Sequence, residues 1–259
     1  MTCMRADEQT ETVRLYAAGS LRAVLTEAAR GFEARYGHHL KVEMEFAASG
    51  LLRARIEQGE IAHIFASADV GHPTRLAEAG RTVAETAVFA RNQLCALVRN
   101  GLKVTPATLL ATMLDPSVRV GTSTPKADTS GDYAFALFAK AERCRPGAQA
   151  MLERKARRLT GGPDSQRAPI GRNQNGWIIS SGKADVFLTY RTNAILAQRE
   201  VPSLQIVQAP AELSVEADYG LVVLKNAPPP AAAFERFILS DEGQATLTEH
   251  GFGRVDPTN

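Results

Sequence analysis

What this chain lacks narrows its function before any motif is weighed. It has no apolar run near the ~18–20 residues that a membrane-spanning helix needs, so no span is expected. Its opening stretch, MTCMRADEQTETVRLY, has none of the apolar centre that marks a secretory signal. Two readings follow: a cytosolic protein, or the mature part of a secreted one. Cysteine is scarce. Cys3, Cys95 and Cys144 are an odd set with no metal-ligand spacing. Cys95, inside the apolar NQLCALV, is expected to be a buried small hydrophobe. Cys144 follows a helix pattern and Cys3 falls in a loose tail, so no disulfide is expected. Excess charge is also scarce: 30 basic residues face 28 acidic ones, a net +2. A nucleic-acid binder concentrates basic residues on one face, so that class is set aside. Catalytic patterns are missing too. There is no G-x-S-x-G, no H-E-x-x-H and no G-x-G-x-x-G after a strand. GWIISSGK is one residue too long for a phosphate loop, and the five histidines are scattered. No catalytic residue, no cofactor and no direct metal-cation site is expected.

What is present is an alternation. The chain has 259 residues, 44% of them hydrophobic, enough for two α/β lobes. Residues 12–17 read as a strand. In LRAVLTEAARGFEARYG, Leu21, Val24, Leu25, Ala28 and Phe32 recur at helical spacing, and Gly37 stops the helix. KVEMEFA and IAHIFASAD read as further strands, each followed by a short helix. This order is that of a parallel sheet covered by helices. Residues 87–98 form a long strand pattern. Helices are expected over 105–114, 132–144 and 147–159, the last with a basic face turned to solvent. Residues 160–175 are a long polar loop, of a kind that is often functional. Strands follow at 184–190, 203–208 and 219–225. The C-terminal stretch reads as two helices broken near Ser240 and Asp241.

One device repeats. Several strands run into a small polar residue that opens a helix: Ser20, Ser49, Ser130, and the segment from Asn173 to Asn175. The first amides of a helix have no internal partner, and the helix dipole places partial positive charge there. A serine adds a hydroxyl donor. Such ends meeting in one cleft would hold an anion with neutral donors alone. Each residue by itself is an ordinary helix cap, and spacing does not bring them to one place.

Resemblance adds to this. YAAGSLRAVLTEAARGFEARYG, VEMEFAASGLLRARIEQGEIAHIFASAD, ARNQLCALV, SGDYAFALF, ADVFLTYRTNA and the C-terminal YGLVVLKNAPPPAAAFERFILSDEGQATLTEHGF resemble, in that order, the periplasmic molybdate-binding proteins of ABC transporters. The resemblance implies a two-lobed, type II periplasmic-binding fold of class α/β, each lobe a mostly parallel sheet flanked by helices. It implies a non-enzymatic, monomeric, periplasmic protein that binds molybdate or tungstate and docks on a membrane permease. It places ligand-binding roles on Ser20, Ser49, Ser130 and Tyr190, and a backbone donor on Arg172 or Asn173. The lobes are expected at residues 10–88 plus 206–259 and at 89–205, with crossings near 87–91 and 210–219 and the ligand between them. The chain departs from the family at His63, where an acidic residue is usual and a buried, hydrogen-bonded histidine is expected. GTSTPKADTSGDYA is more polar than usual, and the 160–175 loop is longer and ends in Arg172. A guanidinium at the ligand would favour a carboxylate, phosphonate or sulfonate. A cytosolic oxyanion sensor with the same architecture is the remaining alternative.

Overall fold

The expected alternation opens the chain. The computed structural model describes residues 10–36 and 39–255; Cys3, Gly37 and His38 lie outside the described residues. Strand β1 (Glu11–Ala18) passes through a 3-10 turn at Gly19–Leu21 into helix α1 (Arg22–Tyr36). β2 (Leu40–Ala47) leads into α2 (Ser49–Glu57), and β3 (Ile64–Ser67) into α3 (Gly71–Glu78). Successive strand side chains point to opposite faces, so Val13, Leu15 and Ala17 enter one core. The helical spacing read above turns Val24, Leu25, Ala28 and Phe32 of α1 onto that same core. Phe32 packs on Phe234 and Phe237, with ring centroids 4.9 and 5.6 Å away. Burying one such side chain contributes about 1.5–3 kcal/mol, which seats α1 on the sheet and sets the direction of the turn that carries Ser20.

β4 (Ala87–Val98) is followed by α4 (Leu109–Leu114), β5 (Val120–Ser123), α5 (Thr129–Cys144) and α6 (Ala148–Lys155). Then come β6 (Arg157–Thr160), α7 (Gln174–Ser180), β7 (Val186–Tyr190), α8 (Arg191–Glu200) and β8 (Gln205–Gln208). β9 (Glu216–Val223), α9 (Pro229–Leu239) and α10 (Asp241–Glu249) close the described chain. The strand order is β2-β1-β3-β9-β4-β7-β5-β6, with β8 pairing β4 off this path. β1 runs parallel to β2 and β3, and β5 runs parallel to β6 and β7. β4 and β9 join these two parallel groups in antiparallel register. β4 pairs with β9 from Ala87 to Gln93, then with β7 from Leu94 to Val98 and with β8 from Cys95 to Val98. The chain therefore passes from one half of the sheet to the other at Gln93 and Leu94, and returns between Gln208 and Glu216. Each half has a core on both faces: around Leu15 and Phe65 in the first, around Val186 and Phe187 in the second. This is the mixed α/β, two-lobed architecture that the resemblance implies.

Two local readings are refined. The helix expected over 147–159 stops at Lys155, and Arg157–Thr160 forms an edge strand parallel to β5. Arginine and lysine favour helix, but β5 offers unpaired backbone groups at its edge, and satisfying them outweighs local propensity. His63 is half-buried, and its Nδ1 accepts from the Arg14 amide at 3.0 Å. Burial lowers its pKa, with Arg14 acting in the same sense. Cys95 is buried and free, and burial pushes its thiol up to about 12. Cys144 is exposed. No described helix is long and apolar enough to cross a membrane.

Candidate functional site

Three strand ends from the two halves meet. Beyond β1, the Ser20 hydroxyl lies 3.0 Å from the Tyr219 hydroxyl. Tyr219 also accepts from Asn92 Nδ2 at 3.2 Å, and the same amide donates to Thr192 Oγ1 at 2.8 Å. Asn92 is 3% exposed and sits on the crossing strand, so Ser20 is tied through it to the first turn of α8. Beyond β2, Ser49 is 2% exposed, and its Oγ accepts from the Ala68 amide at 3.1 Å, one residue past β3. At the end of β7, the Tyr190 hydroxyl donates toward the Ala68 carbonyl at 3.3 Å and lies 3.1 Å from Thr129 Oγ1. The Tyr190 ring packs edge-on against Tyr219, centroids 5.5 Å apart, and against Tyr133 at 6.1 Å. Burial raises the pKa of both Tyr190 and Tyr219 and pushes Tyr133 up to about 12. All three therefore stay protonated near neutral pH and remain donors.

Ser130 lies beside this group in the first turn of α5. Asp128 is the N-cap, and its Oδ1 accepts from the Ser130 amide at 3.0 Å. Gly131 follows, where a methyl group would meet Pro125 N at 2.7 Å and the Ser123 carbonyl oxygen at 2.8 Å. Only glycine lets this turn lie against the 123–125 backbone. The same holds across the gap. A methyl group at Gly50 would meet the Lys126 carbonyl oxygen at 2.8 Å, so the first turn of α2 touches the loop that leads into α5.

Arg172 and Asn173 are engaged elsewhere. Arg172 Nε donates to Glu200 Oε1 at 2.5 Å, its Nη2 reaches Ser180 at 3.4 Å, and the Asn173 amide also donates to Glu200. The Arg172 hydrogen bond is the main cause that lowers the Glu200 carboxyl pKa. Asn173 caps α7, accepting from the amides of Asn175 and Gly176 at 3.0 Å each. Neither residue hydrogen-bonds to Ser20, Ser49, Ser130 or Tyr190. Asn175 Nδ2 donates to Thr189 Oγ1 at 3.2 Å, which brings the start of α7 next to the strand that carries Tyr190.

The polar groups that meet are neutral hydroxyls and amides, and carboxylates stand around them. Asp69 accepts from the His72 amide at 2.8 Å, and Asp132 accepts from the Lys126 amide at 2.8 Å. Burial lowers the His72 pKa although Asp69 opposes it, and burial raises that of Asp132. Ser20 and Ser49 are partnered by a tyrosine hydroxyl and a backbone amide, neither of which is a base able to activate a nucleophile. Among the described residues no group of His, Cys, Asp and Glu is placed to hold a metal ion. The arrangement suits recognition of an acceptor-rich ligand by hydrogen bonding.

Four contributors are not singled out in the sequence: Ala68, Asn92, Thr129 and Tyr219. Asn92 carried a signal, since it is a polar residue inside an otherwise apolar strand pattern. Ala68 acts through its backbone, which no side-chain pattern reveals.

Comparison with known proteins places this geometry. Residues 13–253 match the family described as bacterial extracellular solute-binding protein. The uncharacterized protein PM1146 of Pasteurella multocida is 38% identical over 210 residues, 81% of this chain and 86% of its own. The molybdate-binding protein ModA of Mycobacterium tuberculosis is 24% identical over 254 residues, 94% of this chain and 85% of its own. Among solved structures, the periplasmic molybdate-binding protein of Azotobacter vinelandii superposes with TM-score 0.75 at 19% identity, covering 94% of this chain and 100% of that one. The sulfate-binding protein SubI of Mycobacterium tuberculosis gives TM-score 0.74 at 19% identity over 95% and 88%. The fructose-6-phosphate-bound AfuA of Actinobacillus pleuropneumoniae gives 0.68 at 16% over 93% and 83%. These structures share the fold, and the family match extends over nearly the whole chain: the protein belongs to the bacterial extracellular solute-binding proteins.

Proposed function

We propose that this protein captures a small oxyanion, molybdate or tungstate foremost, between its two lobes and delivers it in the periplasm to the permease of an ABC importer. The observation that carries this reading is the convergence of Ser20, Ser49 and Tyr190, from three strand ends and both halves, through Tyr219 and Ala68. We take the lobe limits to be the two crossings in the sheet. The Ser20 and Tyr190 hydroxyls can rotate from their present partners toward an entering anion. The first amides of α2, unpaired within the helix, add further donors. Each hydrogen bond to a charged group contributes about 1.5–3 kcal/mol. Asp128 already occupies the Ser130 amide, so the donors are drawn mainly from the first lobe and from Tyr190. Neutral donors bind an ionised ligand strongly in a dry cleft and leave no fixed countercharge to retain it when the lobes part. The relation to ModA supports molybdate or tungstate, and the likeness to SubI makes sulfate the natural competitor.

Calorimetric titration with molybdate, tungstate, sulfate and phosphate tests this. Saturable binding of molybdate or tungstate, tighter than the other two, is expected; no heat from any of the four defeats the reading. Ser49→Ala should weaken binding about tenfold, the loss of one charge-assisted hydrogen bond; unchanged affinity would remove Ser49 from the site. Arg172→Ala should change oxyanion affinity little, because Glu200 holds that guanidinium. Abolished binding in that variant would instead indicate an arginine clamp and a carboxylate or phosphonate ligand.

A further inference from the structure

A cavity of about 270 Å³ lies between α1, α8 and the turn after α10. Ser20 and Val24 line one wall, Arg191, Ile195 and Arg199 the second, and Phe252 the third. The first and third walls follow β1 and β9 in the first half of the sheet. The second follows β7 in the other half. An occupant would touch both lobes.

Two arginines, Arg191 and Arg199, and one carboxylate, Glu249, line this cavity, so positive charge is in excess. Arg191 is the first residue of α8, where the helix dipole already presents positive charge and a cation is disfavoured. It is half-buried, and it makes no hydrogen bond or ion pair with any described residue. Its guanidinium is held over the 250–252 turn: Nη1 lies 3.6 Å from where a side chain on Gly251 would begin, and Gly251 has φ +88°. Arg199, exposed and two turns further along α8, is likewise unpaired. Thr192 accepts from Asn92 and so keeps its own proton to give. One guanidinium, the Ser20 and Thr192 hydroxyls and the free first-turn amides of α8 are more donors than the two oxygens of a carboxylate use. A three-oxygen head matches them. Val24, Ile195 and Phe252 give the lining an apolar part, beside the polar Thr248 and Glu249.

We propose that this cavity is a second binding compartment, for a small organic phosphonate or phosphate ester whose head pairs with Arg191 and whose apolar body lies over Val24, Ile195 and Phe252. Because the walls belong to different lobes, its occupant favours the arrangement in which they touch. This inference does not rest on the oxyanion reading, and either can fail without the other.

The probe is phenylphosphonate, with inorganic phosphate as head alone and benzyl alcohol as body alone. By calorimetry, phenylphosphonate should bind one per chain, at least about tenfold tighter than either control, and Arg191→Gln should lose about tenfold. In ¹⁵N NMR of the unmodified protein the amides of Thr192, Ile195 and Gly251 should shift. Shifts confined to Ser49 and Gly50, absence of saturable binding, or equal binding by Arg191→Gln would each overturn the proposal. Should that variant fail to fold, the amide map of the unmodified protein decides. Ser20 borders both sites, so molybdate titrated separately tells them apart by shifting Ser49 and Gly50 and leaving Ile195 and Gly251 unmoved.

Discussion

Gly50→Ala should weaken oxyanion capture roughly ten- to a hundredfold while leaving the thermal midpoint unchanged or slightly raised. The reason lies in which contact the added methyl meets. It would come within 2.8 Å of the Lys126 carbonyl oxygen and 3.2 Å of that of Ala127. Both belong to the loop before α5, in the opposite half of the molecule. That loop has little freedom to yield. Lys126 holds φ +67°, a left-handed backbone uncommon outside glycine, and its amide is fixed by the Asp132 carboxylate. Overpacking of this kind costs about 1–3 kcal/mol, and every 1.4 kcal/mol is about a factor of ten in affinity. The cost arises only when the lobes touch. With the lobes apart, position 50 is an ordinary site in the first turn of α2, where alanine is favoured over glycine by less than the ~1 kcal/mol of a helix interior. Affinity and stability should therefore move in opposite directions, a signature that a merely misfolded variant cannot give. Apparent affinity falls with the fraction of molecules able to close, so small-angle scattering should report a larger radius for the variant in the presence of ligand. Unaltered calorimetric affinity would show that capture does not require the α2 turn to meet this loop.

The elements that position Gly50 and Ser49 were legible because local pattern and tertiary need coincide there. The apolar spacing through Phe32 marks α1 and also seats it. The break near Ser240 is a cap in the structure, where Ser240 Oγ accepts from the Gly243 amide. The polar run into α5 was legible in part. Ser130 opens the helix, but Asp128, a strong capping type two residues earlier, takes the Ser130 amide. That competition is written in the sequence A-D-T-S-G and is decided by one short contact. Arg172 is a different case. Its partner Glu200 lies 28 residues further on, and nothing in the 160–175 loop announces it. Tyr219 and Asn92 are 127 residues apart and meet only because β4 and β9 both cross between the halves. The strand at Arg157–Thr160 was hidden because its residues favour helix and only the edge of β5 makes them a strand. Local structure was readable wherever one face had to be buried. Site chemistry was not, wherever a long-range acceptor claimed the donor.

Asp185 is such an acceptor, and its removal should be strongly destabilising although it lies outside the cleft. It is 4% exposed and sits at the start of the segment that becomes β7. Its carboxylate accepts from Arg99 Nε at 2.7 Å, and from the amide, Nε and Nη2 of Arg119 at 2.8, 2.9 and 2.8 Å. These bonds pin the end of β7 opposite Tyr190 to the start of β5 and the end of β4. Asp185→Ala orphans the Arg119 amide and leaves two guanidiniums without a partner. Those side chains are 44% and 41% exposed and can return to water, which keeps the cost below the 3–5 kcal/mol of breaking a fully buried pair. About 2–4 kcal/mol is expected from the hydrogen bonds lost, a fall of about 5–15 °C in the thermal midpoint for a chain of this size. The loss should depend on pH in one direction. The Arg119 side chain above all holds the Asp185 carboxyl well below the usual carboxylate range. A group whose folded pKa is depressed contributes its stability above the unfolded value of about 3.9 and loses it as pH falls toward the folded one. The gap between the parent and Asp185→Ala should therefore be full at pH 7 and at pH 5, and should narrow progressively below about pH 4. Asp185→Asn, which keeps the shape without the charge, should fall between them at pH 7. Urea unfolding of the three proteins across this range reads it directly. A gap of constant size from pH 7 to pH 3 would mean that shape, and not the ionised carboxylate, holds β7 to β5.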